Sequence, residues 1–134
     1  MTLSSQQALR ALRIAVCVLI FVHGSFRLVT GGVIPFGEFL TESHIPLGPV
    51  VAGGITAIEM IGTIVLALGY FVRPLAIYYA AELTMGIILV HVKEGWFVVG
   101  GGRNGMEYSV LLICVFLAVA SSPPERRKAV SSEQ

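Results

Sequence analysis

The sequence contains no aspartate: all eight of its acidic residues are glutamates. That choice suits helices better than turns, because aspartate competes with the helix backbone for local hydrogen bonds. Charge of either sign is scarce. Only 13% of the 134 residues are charged, about half the ~25% of an ordinary soluble domain. A formal net charge of +1 leaves no broad basic field for nucleic acid and no acidic tail. Cysteine is limited to Cys17 and Cys114, which lie inside apolar runs rather than in a loop framework. They are expected to pack as small apolar side chains, although similar depths on the first and fourth helices would let them approach. What the chain has instead is apolar surface. Hydrophobic residues make up 55% of it and the mean hydropathy is +0.84, the composition of a membrane protein rather than a small globular domain.

Four stretches are long enough, or nearly so, to cross about 30 Å of hydrocarbon, which takes roughly 20 residues. They lie near residues 10–29, 50–71, 74–92 and 106–121. The first, with IAVCVLIFV behind Arg10 and Arg13, also resembles a secretory signal peptide. No small-x-small cleavage site follows cleanly and three more spans come after it, so a retained helix is expected. Pro46 and Pro49 suit the start of the second span, and Arg73-Pro74 forms a turn short enough to require an antiparallel neighbour. KEGWFVVGGGRNG then reads as a glycine-rich loop with Trp96 at interfacial level. The expected fold is all-α: a polytopic antiparallel bundle of four transmembrane helices in one domain over residues 1–124, with a flexible polar tail over 125–134. Basic flanking residues number six on the side of the termini (Arg10, Arg13, Arg73, Arg126, Arg127, Lys128) and three on the other (Arg27, Lys93, Arg103). This bias predicts that both termini are cytoplasmic in a cell (inner) membrane.

Against this background Glu59 stands out. It is the one charged side chain between His44 and Arg73. A carboxylate there costs at least several kcal/mol unless paired, hydrated or protonated, which makes it a candidate functional residue. Helical rise places Glu59 roughly 13 Å below the outer start of its helix and His23 roughly 9 Å below the outer end of the first, within side-chain reach. Arg27 shares a face with His23. His91 closes the third span and Glu107 opens the fourth, so every helix offers an ionisable group to the outer half: His23 and Arg27, Glu59, His91, and Glu107. Glu82 lies nine residues before His91, about half a turn out of phase, so the two cannot face one centre. Glu82 is expected to be the off-axis residue, facing a partner subunit or a second copy of the chain.

Such a set suits several roles. A quinone head group needs a donor such as His or Arg, a proton-exchanging group such as Glu, and an apolar slot for its tail. The same residues could instead be a buried ion-pair network that fastens helices together. His23, Glu59, His91 and Glu107 are competent metal ligands, but their spacing matches no known metal signature, and no metal site is expected. Gly100-x-Gly102-x-x-Gly105 spells a dinucleotide fingerprint without the strand–helix setting it requires. The small residues around Gly53, Gly54 and Gly62 form no strict packing motif but allow close helix approach.

An ordered set of segments resembles the DoxX family: LR at 12–13, FVHGSFRL at 21–28, FGEFL at 36–40, AIEMIGTIVLALGYFVRP at 57–74, MGIILVH at 85–91 and GRNGMEYSVLL at 102–112. The similarity covers about residues 10–120 and rests on order and spacing more than on any one motif. It implies a small four-helix protein of a bacterial or archaeal membrane. The family takes its name from a subunit of a thiosulfate:quinone oxidoreductase. The resemblance therefore implies a quinone-linked membrane subunit, with no covalently bound cofactor, whose electrons come from a protein partner carrying a redox centre. A non-catalytic anchor or assembly partner is the alternative. It maps onto Arg13, His23, Gly24, Arg27, Glu59, Gly62, His91 and Glu107, with Arg27 where a lysine is common. Glu82 is outside the pattern.

Overall fold

The computed structural model describes residues 3–100 and 103–123, and among these it contains five helices and no strand. The polar tail expected over 125–134, with three of the basic residues that set the orientation, lies outside the described residues. Helix α1 (Ser5–Val29) begins earlier than the apolar run alone suggests, because Ser4 and Gln7 form a reciprocal capping box. Helix α3 is Gly48–Ala67. Helix α4 covers Val72–Glu94 and contains a π-helical stretch, Ile87–His91. Helix α5 is Glu107–Ser121. Three of these, α1, α3 and α4, are long and apolar enough to cross a membrane. Helix α5 has 15 residues, about 22 Å of rise, and falls short of the length expected for a fourth full span.

The fifth helix is one the hydropathy pattern does not reveal. Helix α2 (Val33–Glu42) fills the connection between α1 and α3. Its segment VIPFGEFLTE is too short to span and carries Pro35 and Gly37, which read as a loop. Pro35 is harmless because it sits in the first turn, where backbone N–H groups have no helical partner. Helices α1, α2 and α3 all end in the same way. The third residue past each helix donates its N–H to the carbonyl five positions back: Gly32 to Arg27 (2.8 Å), Ile45 to Leu40 (2.9 Å) and Tyr70 to Val65 (3.0 Å). The left-handed residue this motif requires is Gly31 after α1 and Gly69 after α3, but His44 after α2.

Packing is uneven. Helix α3 lies against α1 and α2, α4 lies against α5, and α1 also touches α5, whereas α3 and α4 touch only sparingly despite the short turn that joins them. Cys17 and Ile20 from α1, Leu66 from α3, Tyr79 from α4 and Phe116 from α5 form the centre of the core. The Tyr79 and Phe116 rings stack with centroids 5.3 Å apart. The Tyr79 hydroxyl crosses to α3 over Gly62 and donates to the Ile58 carbonyl at 2.7 Å. At the end of the bundle away from α2, the buried Arg13 donates to the carbonyl of Ala67, the last residue of α3, at 3.5 Å. Cys17 is buried and Cys114 is exposed on α5; both are free thiols.

Helices α2 and α3 meet through two glycines. A β-carbon on Gly37 would stand 2.7 Å from the Pro49 Cα, and one on Gly48 would collide with the Gly37 carbonyl and Thr41. The obstacle in each case includes backbone that cannot rotate away. We therefore expect Gly48→Ala to destabilise the protein by about 1–3 kcal/mol. Gly54→Ala, whose β-carbon meets nothing within 4 Å, should instead be neutral or stabilising by up to ~1 kcal/mol. Thermal unfolding of the two variants in detergent checks both signs.

Candidate functional site

Glu59 is buried on the face of α3 that meets α1, with 2% of its surface exposed. Its place there depends on Gly24. A β-carbon at residue 24 would stand 2.8 Å from the Glu59 β-carbon and 3.0 Å from its Oε2, so the absence of a side chain makes room for the carboxylate. Three residues further along α1, on the same face, Arg27 supplies the counter-charge. Its Nη1 donates to Glu59 Oε2 at 2.6 Å and its Nη2 to Oε1 at 3.3 Å, a two-pronged pairing. Nη1 also donates to the hydroxyl of Thr56 at 3.2 Å, and that hydroxyl donates to the Ala52 carbonyl at 2.8 Å. Phe36 of α2 places its ring 4.3 Å from the guanidinium carbon, a contact favourable to the cation. One side chain thus ties α1 to α2 and α3.

Glu82 joins this group rather than facing outward. It interacts with the Glu59 carboxylate, the Tyr78 phenol and the Arg27 guanidinium, and its Oε2 is buried without a hydrogen-bond partner. The expectation that Glu82 leaves the centre is corrected by its relation to Tyr79. Three residues separate it from that buried ring, so it turns toward α3. His91 is the residue that leaves, at the end of the π-helical stretch Ile87–His91. Ser25, next to Gly24, also has a buried hydroxyl with no partner.

His23 is exposed, and no hydrogen bond or ion pair joins it to Glu59. The depth argument was correct, since its neighbour Gly24 touches Glu59. The face expected to be shared by His23 and Arg27 does not bring both to Glu59: Arg27 reaches it, and His23 lies exposed. His91 and Glu107 serve the loop between α4 and α5. His91 Nδ1 pairs with the Asn104 carbonyl at 2.7 Å, and Glu107 Oε1 accepts the Val98 N–H at 2.8 Å. Two backbone bonds, from Met106 to Gly95 and from Glu107 to Trp96, both 3.1 Å, complete that clasp. Of the residues expected to gather, only Arg27 and Glu59 do so. Thr56, Tyr78 and Glu82 complete the group. The i, i+3 spacing of Gly24 and Arg27 was the sequence signal for the α1 face that meets Glu59. No group of three or more His, Cys, Asp or Glu suited to a metal ion exists among the described residues.

Beside the polar group, α3 and α4 part to leave an open cavity of about 460 Å³. It is lined by Ile58, Ile61 and Gly62 from α3, by Phe71 from the turn and by Leu75 and Tyr78 from α4, with almost no polar surface. A second cavity, of about 330 Å³, adjoins it along α3, sharing Ala57 and Ile61 and reaching toward Leu28 and Val33.

The family model described as DoxX matches residues 8–92 of the chain. That range contains Gly24, Arg27, Thr56, Glu59, Tyr78 and Glu82, and stops short of Glu107. No curated protein and no solved structure matches the chain significantly.

Removing one partner of a buried ion pair leaves an uncompensated charge, which costs about 3–5 kcal/mol. Arg27→Ala should lose that much in unfolding measurements in mixed micelles. Arg27→Lys, which keeps the charge but lacks the planar fork, should lose less. The double variant Arg27→Met with Glu59→Leu should recover more than half of the loss, because apolar residues of similar volume replace a buried pair with little penalty.

Proposed function

The chain belongs to the DoxX family, and from that premise we propose that this multi-pass membrane protein is the quinone-linked membrane subunit of a redox complex. In this reading a partner subunit carries the redox centre, and this chain binds the lipid-soluble carrier and manages its protons. The observation that carries the reading is the Glu82 Oε2 atom, buried and unpartnered beside an ion pair. A buried polar atom without a partner is uncommon in a folded protein and invites one from outside.

The surrounding residues suit the task. Arg27 and Glu59 fix a charge pair inside the helices, and Tyr78 links the polar group to the wall of the apolar cavity. A quinone supplies two-electron, two-proton chemistry when bound, and Glu82 and Tyr78 are the residues able to exchange a proton with it. Thr56 and Phe36 hold the guanidinium in place while that happens. The reading keeps both termini on the cytoplasmic side of the cell membrane, following the excess of basic residues there.

One observation favours a second reading, in which the protein is an anchor or assembly partner. Arg27 is engaged by Glu59, Thr56 and Phe36 at once, which is the behaviour of a helix clamp. The two readings separate on purification from native membranes with mild detergent, followed by extraction and chromatography of bound quinone. The quinone reading expects the parent and His23→Ala to retain quinone alike, and Glu82→Gln to retain about a tenth as much with an unchanged unfolding transition. A folded parent with no quinone, or equal retention in all three proteins, assigns the anchor role instead.

A further inference from the structure

The donors and acceptors of the polar group are not evenly used. Both terminal nitrogens of Arg27 are occupied, Nη1 by Thr56 and Glu59 Oε2 and Nη2 by Glu59 Oε1. The Tyr79 hydroxyl donates to Ile58 and that of Thr63 to the Glu59 carbonyl at 2.5 Å. Three of the five Arg27 N–H groups are taken up in this way, while a carboxyl oxygen, Glu82 Oε2, lies buried with no partner. A ligand that satisfies this acceptor oxygen must bring a donor to it. A hydroxyl does so, beside Tyr78, whose phenol already hydrogen-bonds Glu82. A bare carbonyl brings only acceptors.

The cavity between α3 and α4 shows where the rest of such a molecule goes. Tyr78 lies one turn before Glu82 on α4 and forms the cavity wall next to the polar group. From there the lining runs through Ile58, Ile61, Leu75 and Phe71, all apolar. At about 460 Å³ it falls within the ~300–1,000 Å³ range of small-molecule sites. It opens sideways between two helices long enough to span a membrane, so its mouth faces lipid rather than water.

We propose that the α3–α4 cavity binds the reduced, dihydroxy form of the lipid-soluble carrier, which enters laterally from the bilayer and donates a hydroxyl hydrogen bond to Glu82. The inference rests on the quinone reading above and adds the location, the route of entry and the preferred redox state. It also separates the roles of two glutamates: Glu59 is neutralised by Arg27 and positions the site, whereas Glu82 meets the ligand.

The test measures equilibrium binding of three probes to the purified full-length protein in lipid nanodiscs without oxygen: decylubiquinol, its dimethyl ether and decylubiquinone. The ether keeps the shape and the acceptors of the quinol but has no hydroxyl hydrogen. The parent should bind the quinol about tenfold more tightly than the ether or the quinone, the effect of one hydrogen bond to a buried carboxyl group. Glu82→Leu should abolish that preference. Ile58→Trp, which fills the cavity from α3, should weaken all three probes by about tenfold, with Leu75→Phe as the second occluding variant if the first does not fold. Equal affinity of the parent for quinol and ether overturns the proposal, as does a preference that survives in a folded Glu82→Leu protein. Tighter binding of the quinone than the quinol overturns the redox preference while leaving the carrier reading intact. A parent that binds none of the probes overturns both.

Discussion

The pairing of Arg27 with Glu59 is the constraint on which the surrounding structure depends. A carboxylate inside apolar helices is tolerated only when a cation meets it with good geometry and the remaining valences are filled. Each neighbouring feature follows from that requirement. Gly24 is small so that the carboxylate fits between α1 and α3. Thr56 fills a further guanidinium valence and Phe36 covers its face. Helix α2 is held over the pair through Phe36, and the two-glycine seam with α3 fixes its position. The ion pair therefore organises one half of the molecule, α1 with α2 and α3. The other half, α4 with α5, is organised by the Tyr79–Phe116 stack.

The two halves meet closely through α1 and loosely between α3 and α4. Had α3 and α4 packed along their whole length, Glu82 would be sealed in protein and its free oxygen would be a structural defect. Because they part, Tyr78, the hydrogen-bond partner of Glu82, lines an open cavity between the two helices. The tyrosine pair marks the boundary between these conditions. Tyr79 binds α3 and closes the core, while Tyr78, the next residue round the helix, lines the cavity.

Much of this was legible in the sequence, and the misses have definite causes. The long apolar helices, the isolation of Glu59 and the importance of Arg27 follow from hydropathy and from the cost of burying charge. Helix α2 was hidden because a ten-residue helix with a proline in its first turn has neither the length nor the pattern of a span. His23 has the right depth and lies four residues before Arg27, but a four-residue spacing defines a face only coarsely, and the long Arg27 side chain reaches Glu59 where His23 does not. Its neighbour Gly24 was the better guide, since a glycine on a packed face reports a bulky partner opposite. Glu82 and His91 do face apart as their phase requires, but phase alone does not say which of them meets Glu59, and it is Glu82. His91 and Glu107 needed loop geometry that no periodicity encodes.

The π-helical stretch at Ile87–His91 bears on more than that phase. A π turn holds a residue in excess of the α-helical count, and each α-helical residue corresponds to about 100° of rotation. Deleting one residue there would let the helix relax to regular α form and swing everything after it around the axis, carrying His91 away from the Asn104 carbonyl and the loop clasp with it. Glu82, which lies before the stretch, would stay where it is. The number of residues between Glu82 and His91 is thus a property of the protein in its own right. Substitutions there preserve the register, whereas a change of length uncouples the buried polar group from the loop at the end of the bundle.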